Sequence, residues 1–335
     1  KKQGIKPLVT LHHFTHPQWL EEEGQWLNPD TIDYFVSFVE KIVRAFGGLC
    51  NEYCTINEPN VFAMSSYIEG NFPPGNKNDI PGYLNVSKNM IIAHQRCYDA
   101  IHKIREELGF NDTSVGFAMH FTYLEPQADS KRAKICYNLM NYLFHTIFMK
   151  GFVDGEIAFP LGFSSKSDKK YCDHIGINYY TRHIIRPSNN PALFFGEYVI
   201  NPDATDDMLT DLGWEIFPEG LYHIVKKCYE DYKLPIYITE NGLADATDEK
   251  RSGYIYGHLE QLSKLIDEGV DVQRYYYWST MDNFEWAEGY WPRFGLYAVD
   301  YDTQKRTLRK SGELYAKISQ EKAFTDEMIK EYLNK

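Results

Sequence analysis

Short apolar, β-branched runs alternate with longer stretches of helical period along almost the whole chain, and no other feature limits the fold as strongly. "KPLVTLHHF" (6–14), "EYCTINEP" (52–59), "SVGFAMHFTYLEP" (114–126), "DHIGINYYT" (173–181), "LPIYITENG" (234–242) and the start of "VQRYYYWSTMDNFEW" (272–286) read as strands. Between them, 28–47 reads as a helix: Ile32, Phe35, Val36, Val39, Ile42, Val43 and Phe46 recur at three- and four-residue spacing behind Pro29 and Asp30. Helical period returns over 85–108, 132–151, 219–232 and 254–269. Six strand–helix units in strict alternation predict a parallel sheet with crossover helices. The polar clusters "HHFTH", "NEPN", "NYYT", "TENG" and "DNFEW" all fall at the C-terminal ends of strands. A TIM (β/α)8 barrel builds its active site from the loops at that face. A doubly wound sheet is the alternative, but no glycine-rich phosphate fingerprint follows any strand. A full barrel needs two more strands, and the chain opens "KKQGIKPLVT", without a Met and almost directly in a strand. The first two strands are therefore expected to precede Lys1.

Composition narrows the function classes. The chain has 335 residues and a net charge of −12, with no basic cluster beyond scattered Lys and Arg pairs, which argues against nucleic acid and anionic membrane as partners. No stretch approaches a membrane span. The six cysteines (50, 54, 97, 136, 172, 228) are dispersed and form no CxxC pair, so reduced thiols in a cytoplasmic protein are expected rather than a disulfide scaffold. Asn85 and Asn111 head the tripeptides "NVS" and "NDT", a pattern that arises often by chance. Aromatic content is high, with 26 Tyr, 20 Phe and 6 Trp. A flat apolar face with a polar tip suits sugar rings, although a Tyr-rich core accounts for the same count.

Glu58 and Glu240 carry the chemistry. Each ends an apolar strand beside an asparagine, in "INEP" and "TENG". One such carboxylate is ordinarily a solvated turn or a helix cap. Two on the functional face of one sheet can face each other across a barrel mouth, which supplies the general acid and the nucleophile or base of glycoside hydrolysis. Three histidines in "LHHFTH" raise the possibility of a metal site. On a strand, however, His12 and His16 point one way and His13 the other, so they do not converge on a metal.

"TLHHFTHPQWL", "TINEPN", "HIGINYYTR", "IYITENG" and "YYYWSTMDNFEWAEGYWPRFGL" resemble, in order and spacing, the motifs of glycoside hydrolase family 1, the retaining β-glucosidases. The resemblance runs from the first residues to about residue 320 and implies one glycosidase barrel domain over 1–335, incomplete at its N-terminus. It implies that Glu58 is the acid/base and Glu240 the nucleophile, with Glu240 ionised and Glu58 protonated. Asn57 is similar to the amide that bonds the sugar 2-hydroxyl, and Tyr180 to the tyrosine that holds the nucleophile. Asn178, two residues earlier, resembles a supporting polar group. His13 and Phe14 match a His–Trp pair, with phenylalanine in place of the indole. Glu285 and Trp286 resemble the glycone-binding pair, while Trp278 and Phe294 resemble pocket walls. A non-proline cis peptide is implied after Trp278. Retention of Glu285 speaks against phosphorylated sugars, and no cofactor is implied.

Two family contacts are without a counterpart, the glutamine of the first strand and the arginine of the second, and the excursion between "FVDGEIAFP" and "CDHIGINYY" is short. A non-catalytic or weakly active barrel fragment that binds carbohydrate is therefore the alternative. A metal-dependent barrel hydrolase is opposed by the lack of clustered Asp and His at strand ends. The loop 69–83 ("EGNFPPGNKNDIPGY") is expected to set aglycone preference.

Overall fold

The computed structural model describes residues 4–333. Six parallel strands lie in the order β1 (Leu8–His12), β2 (Glu52–Asn57), β3 (Ser114–Pro126), β4 (His174–Pro187), β6 (Ile236–Asn241) and β7 (Val272–Tyr277). β5 (Gly196–Val199) adds to the far end of β4 as an antiparallel ribbon. Every strand expected from the sequence is present. β5 lies in the loop-rich stretch after β4, where the polar sequence carries little alternation.

The sheet is strongly curled. Neighbouring strands lie about 4.8 Å apart, so β2 and β7, four places apart in the order, would be separated by roughly 19 Å in a flat sheet. Instead Arg274 of β7 reaches Glu52 of β2 at 2.9 Å, across the interior at the end opposite the polar loops. This is the α/β architecture of a TIM barrel over six strand–helix units. β1 and β7 form its two edges among the described residues.

Helices cover the outside. α1 (Gln18–Glu22) and α2 (Asp30–Phe46) follow β1, and α2 turns Ile32, Phe35, Val36, Val39 and Val43 inward at the predicted spacing. α3 (Pro59–Met64) starts directly off β2 and passes through a π-turn, Ser65–Glu69, towards α4 (Ile80–Glu107). The helix expected over 132–151 is two, α5 (Lys131–Asn141) and α6 (Ile147–Asp154), joined by a second π-turn at Tyr142–Thr146. α7 (Pro218–Tyr232) and α8 (Arg251–Asp267) follow β4 and β6. A small hairpin of β8 (Tyr297–Val299) and β9 (Arg306–Leu308) leads to α9 (Lys310–Glu321) and α10 (Asp326–Tyr332). Both faces of the sheet are buried, so strands such as β2, buried at every position, read as apolar runs and not as alternating ones.

Candidate active site

The ends of β2 and β6 are built differently. At β2 the strand stops at Asn57, and Glu58 takes a left-handed backbone (φ 45°, ψ 56°). A non-glycine residue pays for this conformation with strain, which persists only where the surroundings enforce it. Here they do. Pro59 opens α3 with its φ already helical, and the Glu58 amide donates to the Ala118 carbonyl at 2.7 Å. Asn60 then ties the corner to β3 by donating to the His120 carbonyl at 2.9 Å. Phe14 (φ 65°) and Trp286 (φ 47°) are left-handed as well.

At β6, Glu240 belongs to the strand itself. Asn241, fully buried, donates to the Tyr179 carbonyl at 2.6 Å and to the Tyr254 hydroxyl at 2.9 Å, and accepts from Tyr275 at 2.9 Å. Gly242 is required by close approach: a Cβ there would lie 1.9 Å from the Trp278 carbonyl oxygen. The motif "ENG" thus places a carboxylate, a strut and a gap in sequence. The Trp278–Ser279 peptide that crosses this gap is cis, as the resemblance implied.

The two glutamates meet. Asn178 of β4 donates to Oε1 of Glu58 at 2.9 Å and pairs in strand register with Glu240 of β6, and both carboxyls border one cavity. Tyr180 donates to Oε2 of Glu240 at 2.6 Å. Asn57 accepts from Asn178 at 3.1 Å and lies 3.1 Å from Nε2 of His13. The His13 ring stacks on Trp286 (5.4 Å between centroids, 28°) and approaches Trp278 at 5.9 Å, while Phe14 meets Trp286 edge-on at 5.0 Å.

A cavity of about 430 Å³ is bounded by Glu58, Glu240, Tyr180, His13, Phe14, Trp278, Glu285, Trp286 and Phe294, all singled out from sequence. That volume suits a small ligand. Asn178 does not border it; fully buried, it acts through Glu58 and Asn57. Asn57 borders an adjoining cavity of about 380 Å³, which runs along the seam between β1 and β7 and shares His13, Glu240 and Trp278 with the first. His12 accepts from the Trp26 indole at 3.2 Å and His16 pairs with Glu21 at 2.6 Å, so the three histidines of "HHFTH" diverge.

Sequence reading missed His120 and Trp214. His120 lies on β3 two residues beyond Ala118 and four beyond Gly116, so strand alternation marks its face. Its Nδ1 is 3.1 Å from Oε1 of Glu58. Trp214 packs on Tyr180 (5.6 Å) and Phe294 (6.3 Å) at the cavity wall. Its neighbour Glu215 anchors that loop through a two-pronged pair with Arg182 at 2.7 and 2.8 Å. No strand carries Trp214, so no periodicity pointed to it.

The electrostatics push the two carboxyls in opposite directions. Burial pushes Glu58 up, but the charge of His120 and hydrogen bonds from His120 and Asn178 outweigh it and hold Glu58 below its ordinary value. Burial and then the charge on Glu58 push Glu240 well above the carboxylate range, against the hydrogen bond from Tyr180. The reason is the supply of partners: the cavity is bounded by five glutamates (58, 69, 240, 285, 288) and by neither Lys nor Arg. Glu285 is pushed up to about 7, by burial first and then by Glu58, with the Trp278 indole opposing.

Comparison with known proteins agrees with this geometry. The model of glycosyl hydrolase family 1 matches residues 1–324. The chain is 32% identical to a 1,4-β-D-glucan glucohydrolase of Thermotoga neapolitana over 97% of its own length and 76% of the relative's. It is 33% identical to a β-galactosidase of Sulfolobus acidocaldarius, over 100% and 70% of the two chains. The structure superposes on a β-glycosidase from Pyrococcus horikoshii with a TM-score of 0.89 and 35% identity, covering 99% of this chain and 75% of that one. The chain belongs to glycosyl hydrolase family 1, and it is a glycoside hydrolase.

Proposed function

We propose that the protein is a retaining β-glycosidase that hydrolyses unphosphorylated β-glucosides or related β-glycosides by double displacement. The observation that carries this reading is that Glu58 and Glu240, on neighbouring parts of one curled sheet, both border a single aromatic cavity, the one bonded by Asn178 and the other by Tyr180. Carboxyl groups about 5–5.5 Å apart fit attack by one carboxylate, whereas an inverting site leaves about 6.5–9.5 Å for a water. Glu240 attacks the anomeric carbon, while Glu58 gives its proton to the leaving oxygen. Water activated by Glu58 then releases the sugar. For this Glu58 must hold the proton and Glu240 be ionised at the moment of attack.

Around them, Asn57 and His13 bond sugar hydroxyls, and Glu285 with Trp286 grips the glycone between Trp278 and Phe294. A phosphorylated glycone is disfavoured because its phosphate would enter a cavity bounded by five glutamates and no Lys or Arg. Glu69, Asn71 and Phe72 of the 69–83 loop also border the cavity and would meet the aglycone. The substrate is a small glycoside or oligosaccharide, and six buried free cysteines fit a cytoplasmic setting.

The test is hydrolysis of 4-nitrophenyl β-D-glucoside followed by NMR. The β-anomer should form first, and a 2-fluoro glycoside should label Glu240 in the peptide mass map. First release of the α-anomer, or labelling elsewhere, would sink the mechanism. Binding of the sugar without any turnover would favour a carbohydrate-binding fragment.

A further inference from the structure

His120 borders the cavity, touches the reacting carboxyl group and has no part in the roles above. β3 carries it opposite Asn178 in the β3–β4 register. Its Nδ1 is 3.1 Å from Oε1 of Glu58 and its Nε2 is 3.1 Å from the hydroxyl of Thr122. The ring lies nearly parallel to Tyr180, 19° between planes and 6.1 Å between centroids, and Tyr180 bonds Glu240. Asn178 and His120 both address Oε1 of Glu58, which leaves Oε2 towards the cavity.

We propose that His120 is a positioning residue that clamps Oε1 of Glu58, so that Oε2 carries the transferable proton. The proposal rests on Glu58 being the acid/base. A neutral ring donates from Nδ1 to Oε1 and accepts the Thr122 hydroxyl at Nε2. Oε1 then serves as the carbonyl oxygen of a protonated Glu58, and Glu240 is free to ionise. In the forward step Glu240 bonds the anomeric carbon and the bond from that carbon to the leaving oxygen breaks. The Oε2 proton passes to that oxygen, and His120 keeps its own. The other titratable groups facing this pair are His13 just past β1, Tyr180 and His183 on β4, Glu240 on β6, His145 in the π-turn and Glu285 beyond β7.

The experiment compares pH profiles of kcat/KM for phenyl β-glucoside, whose leaving group needs a proton, and 2,4-dinitrophenyl β-glucoside, whose leaving group does not. His120→Asn keeps a neutral donor near the Nδ1 position, and His120→Phe keeps only the ring against Tyr180. Removing a group that favours ionised Glu58 raises the pKa of Glu58. Both variants should therefore move the alkaline limb for the phenyl substrate upward, by about half a pH unit or more. His120→Phe should also lose roughly 10-fold more activity on the phenyl than on the dinitrophenyl substrate, with His120→Asn recovering most of it. An unmoved alkaline limb in both variants, or equal losses on both substrates, overturns the proposal. Glu58→Gln serves as the control. If it is selective for leaving group while the His120 variants are not, the proposal alone fails; if it is not selective, the acid/base reading fails and takes the proposal with it. Turnover of the dinitrophenyl substrate reports that each variant has folded.

Discussion

Glu58 stands one residue past its strand on a left-handed backbone, roofed by a helix that begins at the next residue, whereas Glu240 is the fifth residue of a six-residue strand. The first is held by its corner and addressed by a histidine and an amide; the second is held by Asn241 behind it and addressed by a tyrosine. The difference matters because both carboxyls are buried to a similar degree, so burial alone would raise both alike. The neighbours decide which one keeps its charge. The histidine and amide beside Glu58 favour its ion, while one tyrosine hydroxyl offers Glu240 less than burial takes away.

The sharpest break of this comparison is Glu240→Gln. It removes the attacking oxygen, and kcat should fall by at least about 10⁴-fold on every aryl β-glucoside whatever its leaving group. Glu58→Gln should cost about 10²–10⁴-fold on phenyl β-glucoside and far less in the glycosylation burst with a dinitrophenyl leaving group, read by stopped flow. If the two variants gave the same leaving-group dependence, the distinction between the corners would be lost. Tyr180→Phe removes one charge-assisted hydrogen bond from Glu240 and should lower kcat/KM by about 10- to 100-fold, with the acid limb of the profile moving upward because ionised Glu240 loses its donor.

Glu285 reports on the Glu58 charge from a third position. Its folded pKa, about 7, lies above its ordinary 4.5, so the folded state holds this proton more tightly than the unfolded chain does. That contribution to stability is complete below about 4.5 and disappears as pH rises through about 7. Glu285→Gln should therefore raise stability to urea by about 2 kcal/mol at pH 8, with little change at pH 4 and a loss of glycone affinity throughout. An equal change at both pH values would contradict buried charge as the cause.

Much of this was legible in the sequence because its signals are local. β-branched runs gave six strands, the polar clusters after them gave Glu58 and Glu240, and the motifs of the resembled family gave seven more cavity-lining residues. Asn178 was visible as a motif residue but not as a buried donor, because "NYY" says nothing of what faces it. His120 sits in the middle of a long strand, where alternation marks a face but not a partner 62 residues away. The electrostatic balance between the two glutamates was out of reach for the same reason: it depends on contacts between β2, β3, β4 and β6 that no single segment contains. The π-turn that splits α5 from α6 is likewise invisible in a continuous helical period.

The pair between Glu52 and Arg274 has a mechanical side. Glu52 begins the strand that Glu58 follows, and Arg274 lies near the start of the strand that leads to Trp278 and Glu285. Its contact sits roughly 20 Å below the sugar cavity along stiff β-backbone. A link at the foot of two levers sets the span of their tips. This chord across the closed end of the curl is therefore a fulcrum for the distance between the acid at the head of one strand and the glycone grip at the head of the other.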